Sequence, residues 1–185
     1  FSLDLRGTLR DIKRDIMEII NKVSLACRLL SARYSKPKPI TVHLQTTKLC
    51  NLACKYCYGS YNVNKAGDAL STDKWLQLVD LLHRNGTRRI NLGGGEALLR
   101  KDIGELIDYI RKKNIVVNLN TNGHIVMKRL DVIQKLNTLC ISIDGDEGAH
   151  DKSKGAGSYQ KVIEAIKFAK KNDVVVHTIT CMTRA

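Results

Sequence analysis

The chain has 185 residues, 43% of them hydrophobic and 26% charged, which suits a globular domain with a full hydrophobic core. A net charge of +13 is compatible with anionic partners, but the basic residues are spread along the chain and only two Phe, six Tyr and one Trp accompany them. We therefore expect no stacking platform for nucleic acid. No apolar run is long enough to cross a bilayer, and the first residues lack the apolar segment of a signal peptide. Closely spaced cysteines without secretory features predict a cytoplasmic protein with metal or redox chemistry.

The first predicted element is one long amphipathic helix over residues 8–33. Its apolar residues recur in steps of three and four: Leu9, Ile12, Ile16, Ile19, Val23, Ala26 and Leu30. Pro37 and Pro39 then interrupt the helix. Residues 1–39 are therefore predicted to form an N-terminal helix and a Lys/Pro linker, and residues 40–185 the main domain. A basic amphipathic helix can lie on a membrane surface, and packing of the same stripe beneath the main domain is the alternative.

Strands and helices alternate after the linker. Strands are predicted at residues 40–45, 88–92, 115–120, 138–144 and 174–181, and helices at 71–86, 102–114, 125–136 and 158–172. Strands joined by helices predict parallel pairing with right-handed crossovers. The chain begins at Phe1 and ends just after the last predicted strand, so we expect it to be part of a longer protein.

One face of the predicted strands is repeatedly polar. His43, Asn118, Ser142 and His177 lie on this face, whereas a parallel sheet covered by helices on both sides should be almost entirely apolar. The pattern predicts an inner, or lumen, face that holds a ligand, with functional groups at the carboxyl ends of the strands. The two histidines are interpreted either as hydrogen-bonded lumen residues or as substrate contacts.

Three of the six cysteines, Cys50, Cys54 and Cys57, follow the first predicted strand. A structural zinc site usually has four protein ligands, whereas three thiolates suit an iron–sulfur cluster with one iron open to another ligand. A zinc site remains an alternative at this point. Cys27, Cys140 and Cys181 are interpreted as small core residues.

The spacing of this trio, with aromatic Tyr56 before the last cysteine, resembles the signature of the radical S-adenosylmethionine (radical SAM) superfamily. The resemblance implies that Cys50, Cys54 and Cys57 hold a [4Fe–4S] cluster, with Tyr56 counted among the cofactor-binding residues. It also implies that the amine and carboxylate of SAM occupy the fourth iron site.

Two later stretches extend the resemblance. The sequence "GGGE" at 93–96 resembles the family's GGEP stretch, although Ala97 stands where the family has proline. The resemblance implies that Gly94, Gly95 and Glu96 hold the SAM amine through backbone groups. "NTNG" at 120–123 resembles the polar segment near the SAM ribose, which implies that role for Asn120 and Asn122.

A third stretch, "SIDG" at 142–145 followed by His150, Asp151 and "KGAGSY" at 154–159, resembles a pattern of members that modify peptides, cofactors and lipids. It implies that Ser142 and Lys154 contact the SAM carboxylate. Lys154 stands where the family often has Arg, so it keeps the charge but loses the bidentate fork.

The resemblance predicts an α/β fold: a partial (β/α)6 TIM-like barrel, incomplete at the C-terminus and preceded by the N-terminal helix. It implies an enzyme that cleaves SAM reductively to a 5′-deoxyadenosyl radical, which abstracts hydrogen from a substrate. A peptide or protein substrate is preferred, and a polyprenoid- or hopanoid-like lipid is the alternative. A non-enzymatic metal-binding module is the rival class. A ferredoxin or flavodoxin is the expected electron donor.

Overall fold

The computed structural model describes residues 38–57, residue 59 and residues 70–182, together with nine positions between 16 and 27. Those nine positions are all helical, which agrees with the middle of the helix predicted over residues 8–33. The two ends of that predicted helix lie outside the described residues.

Five parallel strands form one sheet in the order in which they occur along the chain. The strands are β1 (Thr41–Thr47), β2 (Arg89–Gly94), β3 (Val116–Thr121), β4 (Thr138–Ser142) and β5 (Val176–Ile179). Because every step to the next strand passes through a helical segment, the sheet is wound in one direction. β1 and β5 are the edges of this sheet, which is not closed, so the predicted partial barrel is confirmed.

The helices cover one face of the sheet. They are α1 (Thr72–Arg84), α2 (Ile103–Lys112), α3 (Leu130–Ile133), α4 (Glu147–Lys154) and α5 (Ser158–Lys171), with short 3-10 helices at Ala97–Leu99 and Val126–Lys128. The side chains that β2 to β4 direct toward these helices, including Ile90, Leu119 and Ile141, are completely buried. Asn118 and Asn120 point to the opposite face and are only half-buried, so the sheet has an apolar outer face and a polar lumen face.

The helix predicted over 125–136 is wrong in extent. The structure has a 3-10 helix at Val126–Lys128, a non-helical Arg129 with φ −129° and ψ 38°, and then the short α3. The Arg129 guanidinium donates to the carbonyl groups of Leu98 and Arg100, in the segment after β2. The apolar residues of the segment are still buried, because two short helical pieces place them against the sheet as well as one helix would.

The helix α4 was missed by the sequence analysis. Its eight residues include no large apolar side chain, and His150 and Lys154 are its buried residues. The helix is instead defined at its ends: Asp146 accepts a hydrogen bond from the Ala149 amide at 2.9 Å, and Gly155 ends it at φ 108°. Hydrophobic periodicity cannot detect such a helix, because its buried residues are polar.

The N-terminal helical residues present much of their apolar surface to solvent. Ile16, Ile19 and Val23 are 50%, 59% and 57% exposed. Met17 and Ile20 border a cleft together with residues at or just after the carboxyl ends of α1 and α2 and just before β2: His83, Lys113, Asn114 and Arg88. None of the helices in the described ranges combines the length and apolar character needed to cross a bilayer.

Candidate functional site

The three cysteines lie in the loop that leaves the carboxyl end of β1. Cys50 is 8% exposed, Cys54 and Cys57 are half-buried, and all three are free thiols. The Cys57 amide donates to the Cys54 carbonyl at 3.1 Å, and the Lys55 amide donates to the carbonyl of Ser153 in α4, also at 3.1 Å. The second half of the loop is therefore a tight turn attached to a helix.

The electrostatics of the thiols favour a cationic ligand. Burial raises the pKa values of Cys50 and Cys54, and the neighbouring Cys57 sulfur raises both further, so these sulfurs lie within electrostatic range of one another. Lys154 opposes the rise at Cys54. A metal centre supplies the positive charge that such thiolates require. In chemical type and number, the donor set fits an iron–sulfur cluster with three cysteine ligands.

Across the described ranges, no three His, Cys, Asp or Glu side chains are gathered closely enough to hold a single metal ion. A four-iron cluster holds its cysteine sulfurs farther apart than one ion does. The absence of such a group therefore bears on a site for one metal ion, such as the zinc alternative, and does not bear on a four-iron cluster.

The cysteine loop is joined to the loop after β2 by backbone hydrogen bonds. The Gly95 amide donates to the Thr47 carbonyl at 2.9 Å, and the Glu96 amide donates to the Leu49 carbonyl at 2.7 Å. The Thr47 hydroxyl also accepts a hydrogen bond from the Leu49 amide at 3.0 Å. The start of the cysteine loop is thus fixed against the "GGGE" segment.

Two of the three glycines are required by this close approach. A Cβ on Gly95 would lie 2.2 Å from the Leu49 carbonyl oxygen, and a Cβ on Gly94 would lie 2.4 Å from the Thr47 carbonyl oxygen. Gly94 also has φ +134°, which side chains rarely adopt. A Cβ on Gly93, by contrast, would meet nothing within 4 Å.

Glu96 is completely buried, and its carboxylate is fully used within the protein. It accepts hydrogen bonds from the Leu98 amide at 3.1 Å, the Thr121 hydroxyl at 2.9 Å and the Asn122 amide at 2.8 Å. Burial raises the pKa of this carboxyl group, and these donors oppose the rise. The side chain therefore ties the loop after β2 to the end of β3.

The two asparagines predicted for the ribose have different surroundings. The Asn122 side-chain amide donates to the Asn51 side chain at 2.8 Å and lies 3.9 Å from the Cys50 sulfur. It therefore supports the cysteine loop directly, and a hydrogen bond to a ligand sulfur is one of the features that set a cluster's potential. Asn120 lies half-buried on the lumen face of β3.

The remaining predicted site residues gather near the end of β4. Ser142 is half-buried on the lumen face, and the Lys154 ammonium group lies 3.5 Å from a carboxylate oxygen of Asp144. The Tyr56 hydroxyl donates to the same carboxylate, and burial together with this bond raises the pKa of Tyr56. Asp144 belongs to the "SIDG" stretch, but the resemblance implied no role for it.

The motif residues His150 and Asp151 have structural partners. The Asp151 carboxylate accepts hydrogen bonds from the Gly157 and Tyr159 amides at 2.6 and 2.8 Å, which shapes the turn before α5. His150 Nδ1 accepts a hydrogen bond from the Asp144 amide at 3.0 Å. The spacing of the motif singled out His150 and Asp151 in the sequence, but only the fold shows which groups they bind.

The sequence matches a known protein family over most of its length. The model of the family described as the radical SAM superfamily matches residues 44–184. Similar proteins include the mycofactocin maturase MftC of Mycobacterium ulcerans, 33% identical over 135 residues, which are 70% of this chain and 36% of the relative. The PqqA peptide cyclase of Bradyrhizobium diazoefficiens is 29% identical, over 79% of this chain and 40% of that enzyme. The Fe-coproporphyrin III synthase of Methanosarcina barkeri is 29% identical, over 78% and 37%.

A solved structure shows the same fold. Streptococcus suis SuiB bound to its precursor peptide SuiA superposes with a TM-score of 0.70 at 17% identity, covering 80% of this chain and 34% of SuiB. The chain spans about two fifths or less of the length of these relatives.

Gly93 and Gly95, which flank Gly94, provide a matched test of the loop contact. Gly95→Ala should destabilise the protein by about 1–3 kcal/mol, because its Cβ must displace backbone atoms of the cysteine loop. It should also reduce the iron bound after anaerobic reconstitution, whereas Gly93→Ala should retain both stability and iron. Chemical denaturation and iron analysis of the two variants measure this difference. Equal effects at the two positions would contradict the assigned contact.

Proposed function

Because the chain belongs to the radical SAM superfamily, we propose that it is the core of an enzyme whose Cys50, Cys54 and Cys57 hold a [4Fe–4S] cluster. A bound and reduced cluster would pass one electron to SAM, which would give methionine and a 5′-deoxyadenosyl radical able to remove a hydrogen atom from the substrate. The observation that carries the proposal is the attachment of the cysteine loop to the "GGGE" segment. The Glu96 amide of that segment donates a hydrogen bond to the Leu49 carbonyl. It holds the cluster ligands beside the segment proposed to bind SAM.

The proposed SAM contacts lie at the carboxyl ends of β2, β3 and β4. The carbonyl groups of Gly94 and Gly95 would accept hydrogen bonds from the amine, and Asn120 is proposed for the ribose. Lys154 and Ser142 are proposed for the carboxylate. Lys154 is nearly buried, so its charge is weakly screened and attracts an anion more strongly than a surface lysine would.

The cluster assignment is tested on the cysteines of the full-length protein. Replacing any one of Cys50, Cys54 and Cys57 with Ala should abolish the iron–sulfur absorbance and the formation of 5′-deoxyadenosine from SAM. Two remaining thiolates are too few to hold the cluster. Cys27→Ala is the matched control, since Cys27 was interpreted from the sequence as a core residue but is exposed on the N-terminal helix. A Cys54→Ala protein that keeps iron and turnover would overturn the assignment. A wild-type protein that binds zinc and remains colourless would favour the non-enzymatic module.

A peptide or protein is the proposed substrate class, and a row of polar side chains on the lumen face supports it. The Asn118 amide donates to the Asn91 side-chain oxygen at 2.9 Å, and the Asn91 amide lies 3.2 Å from His43 Nε2. A peptide can donate hydrogen bonds to such side chains and accept hydrogen bonds from them, whereas a hydrocarbon chain can do neither, and each polar group left unpaired costs about 1–3 kcal/mol. The names of the MftC and PqqA relatives, a maturase and a peptide cyclase, agree with this choice.

A polyprenoid- or hopanoid-like lipid is the second candidate. The exposed apolar residues Ile16, Ile19 and Val23 favour it, because such a surface on a basic helix can enter a membrane interface. In that case the enzyme would be peripheral to a membrane rather than only cytoplasmic.

The net charge of +13 supports an acidic one-electron donor such as a ferredoxin or flavodoxin as partner. Opposite net charges accelerate encounter between soluble redox proteins, and added salt would slow it.

The two substrate classes are separated by supplying both to the reconstituted full-length enzyme. Short polypeptides encoded beside its gene are compared with vesicles that contain a polyprenoid lipid, and each product is examined by mass spectrometry. A peptide product is expected, and Asn118→Ala should raise the KM for that peptide about 5- to 30-fold while iron content is retained. Asn85→Ala, at an exposed position after α1, is the control. A modified lipid and an unmodified peptide would reverse the choice, and an unchanged KM would remove Asn118 from the substrate site.

A further inference from the structure

Asp144 is a carboxylate with unusually many structural partners for a residue in a loop. It lies two residues beyond β4, and only 7% of the residue is exposed. A buried carboxylate is stable only when it is paired and hydrogen-bonded. Burial alone would raise its pKa, but the Tyr56 hydroxyl, the Cys181 amide and the Lys154 ammonium group together hold that pKa below its usual value.

The partners of Asp144 come from separate segments of the fold. The Tyr56 hydroxyl donates to Oδ2 from the cysteine loop, and the Lys154 ammonium group approaches the same oxygen to 3.5 Å from the end of α4. The Cys181 amide, just after β5, donates to Oδ1 at 3.0 Å. The Asp144 amide itself is bound by His150 Nδ1 at 3.0 Å, which fixes the backbone from which the carboxylate extends. One carboxylate thus joins the cysteine loop to the ends of β4, β5 and α4.

The cysteine loop is held at both of its ends by different elements. Its first half is fixed by β2 and β3, through the Glu96 amide on the Leu49 carbonyl and the Asn122 side chain on Asn51. Its second half is fixed by α4 and Asp144, through the Lys55 amide on the Ser153 carbonyl and the Tyr56 hydroxyl on the carboxylate. The positions of the last two cysteines relative to Cys50 therefore depend on this second attachment.

Lys154 depends on the same carboxylate. Its side chain is 4% exposed, and its charge lowers the pKa values of Cys54 and Asp144. A lysine buried this deeply needs a nearby anion, and Asp144 supplies one in the described structure. Removal of that anion would leave the ammonium group free to turn toward solvent or toward the thiols.

We propose that Asp144 is a positioning residue: it fastens the second half of the cysteine loop through Tyr56 and orients Lys154 toward the site. It acts through these neighbours and touches no reacting atom. The proposal deepens the proposed function, on which it rests for the purpose of the loop, but the attachment itself is a property of the polypeptide and can be measured without a cluster.

The test uses hydrogen exchange of the full-length protein before cluster reconstitution, followed in a peptide that covers residues 50–57. Asp144→Asn keeps the size of the side chain and an acceptor for the Cys181 amide, but loses the charge; Tyr56→Phe removes one hydroxyl and keeps the ring. Each variant should raise exchange in this peptide about 10- to 100-fold, the effect of losing one charge-assisted hydrogen bond. The double variant should be no worse than the more severe single variant, because both changes break the same bond. Asp108→Asn is the matched control, since Asp108 pairs with Lys135 on the surface at 2.6 Å.

After reconstitution, the same variants are compared for iron content and for the KM of SAM. Asp144→Asn should lower the first and raise the second, whereas a residue that only stabilises the fold would change unfolding without altering the KM. Unchanged exchange in the loop peptide of both variants, or effects of the two changes that simply add, would overturn the proposal. If the loop exchanges faster in the variants but the wild-type protein binds no cluster, the positioning role stands and the proposed function fails.

Discussion

The close approach of the loop after β2 to the loop after β1 is the contact on which the site depends. Gly95 lies against the Leu49 carbonyl at a distance that excludes any side chain, and the adjacent Glu96 amide bonds to that carbonyl. This backbone contact places the "GGGE" segment directly beside Cys50. The proposed cluster ligand Cys50 and the segment proposed to bind SAM are thus held together by backbone atoms, with no flexible side chain between them.

Two buried carboxylates extend this contact in opposite directions. Glu96 ties the loop after β2 to the end of β3, and Asp144 ties the second half of the cysteine loop to the end of β4. Burial tends to raise the pKa of both carboxyl groups, and the charge of the buried Lys154 opposes that rise at each of them. A single cation thus offsets part of the cost of burying both groups. The polar groups at the ends of β3 and β4 are therefore coupled through the charge of Lys154.

The parts of the structure that depend on local pattern were predicted from the sequence. The five strands were found because residues such as Val117 and Leu119 alternate with polar ones, and the cysteine spacing identified the loop. The break at Arg129 was not predictable, because its partners lie near residues 98–100 and no local signal records them. The role of Asp144 was missed for the same reason, since Tyr56 lies 88 positions away. The resemblance implied only backbone contacts for Glu96. The burial of its side chain was not predictable, because its partners Thr121 and Asn122 lie 25 and 26 positions away.

The proposed function requires that the three-cysteine loop carries a cluster with one iron open to SAM. The most direct measurement is the electron paramagnetic resonance spectrum of the full-length, anaerobically reconstituted and reduced protein, recorded with and without SAM. The protein should give the signal of a reduced [4Fe–4S] cluster, and this signal should change when SAM is added. A protein without an iron–sulfur signal, or with a signal that SAM leaves unchanged, would contradict it.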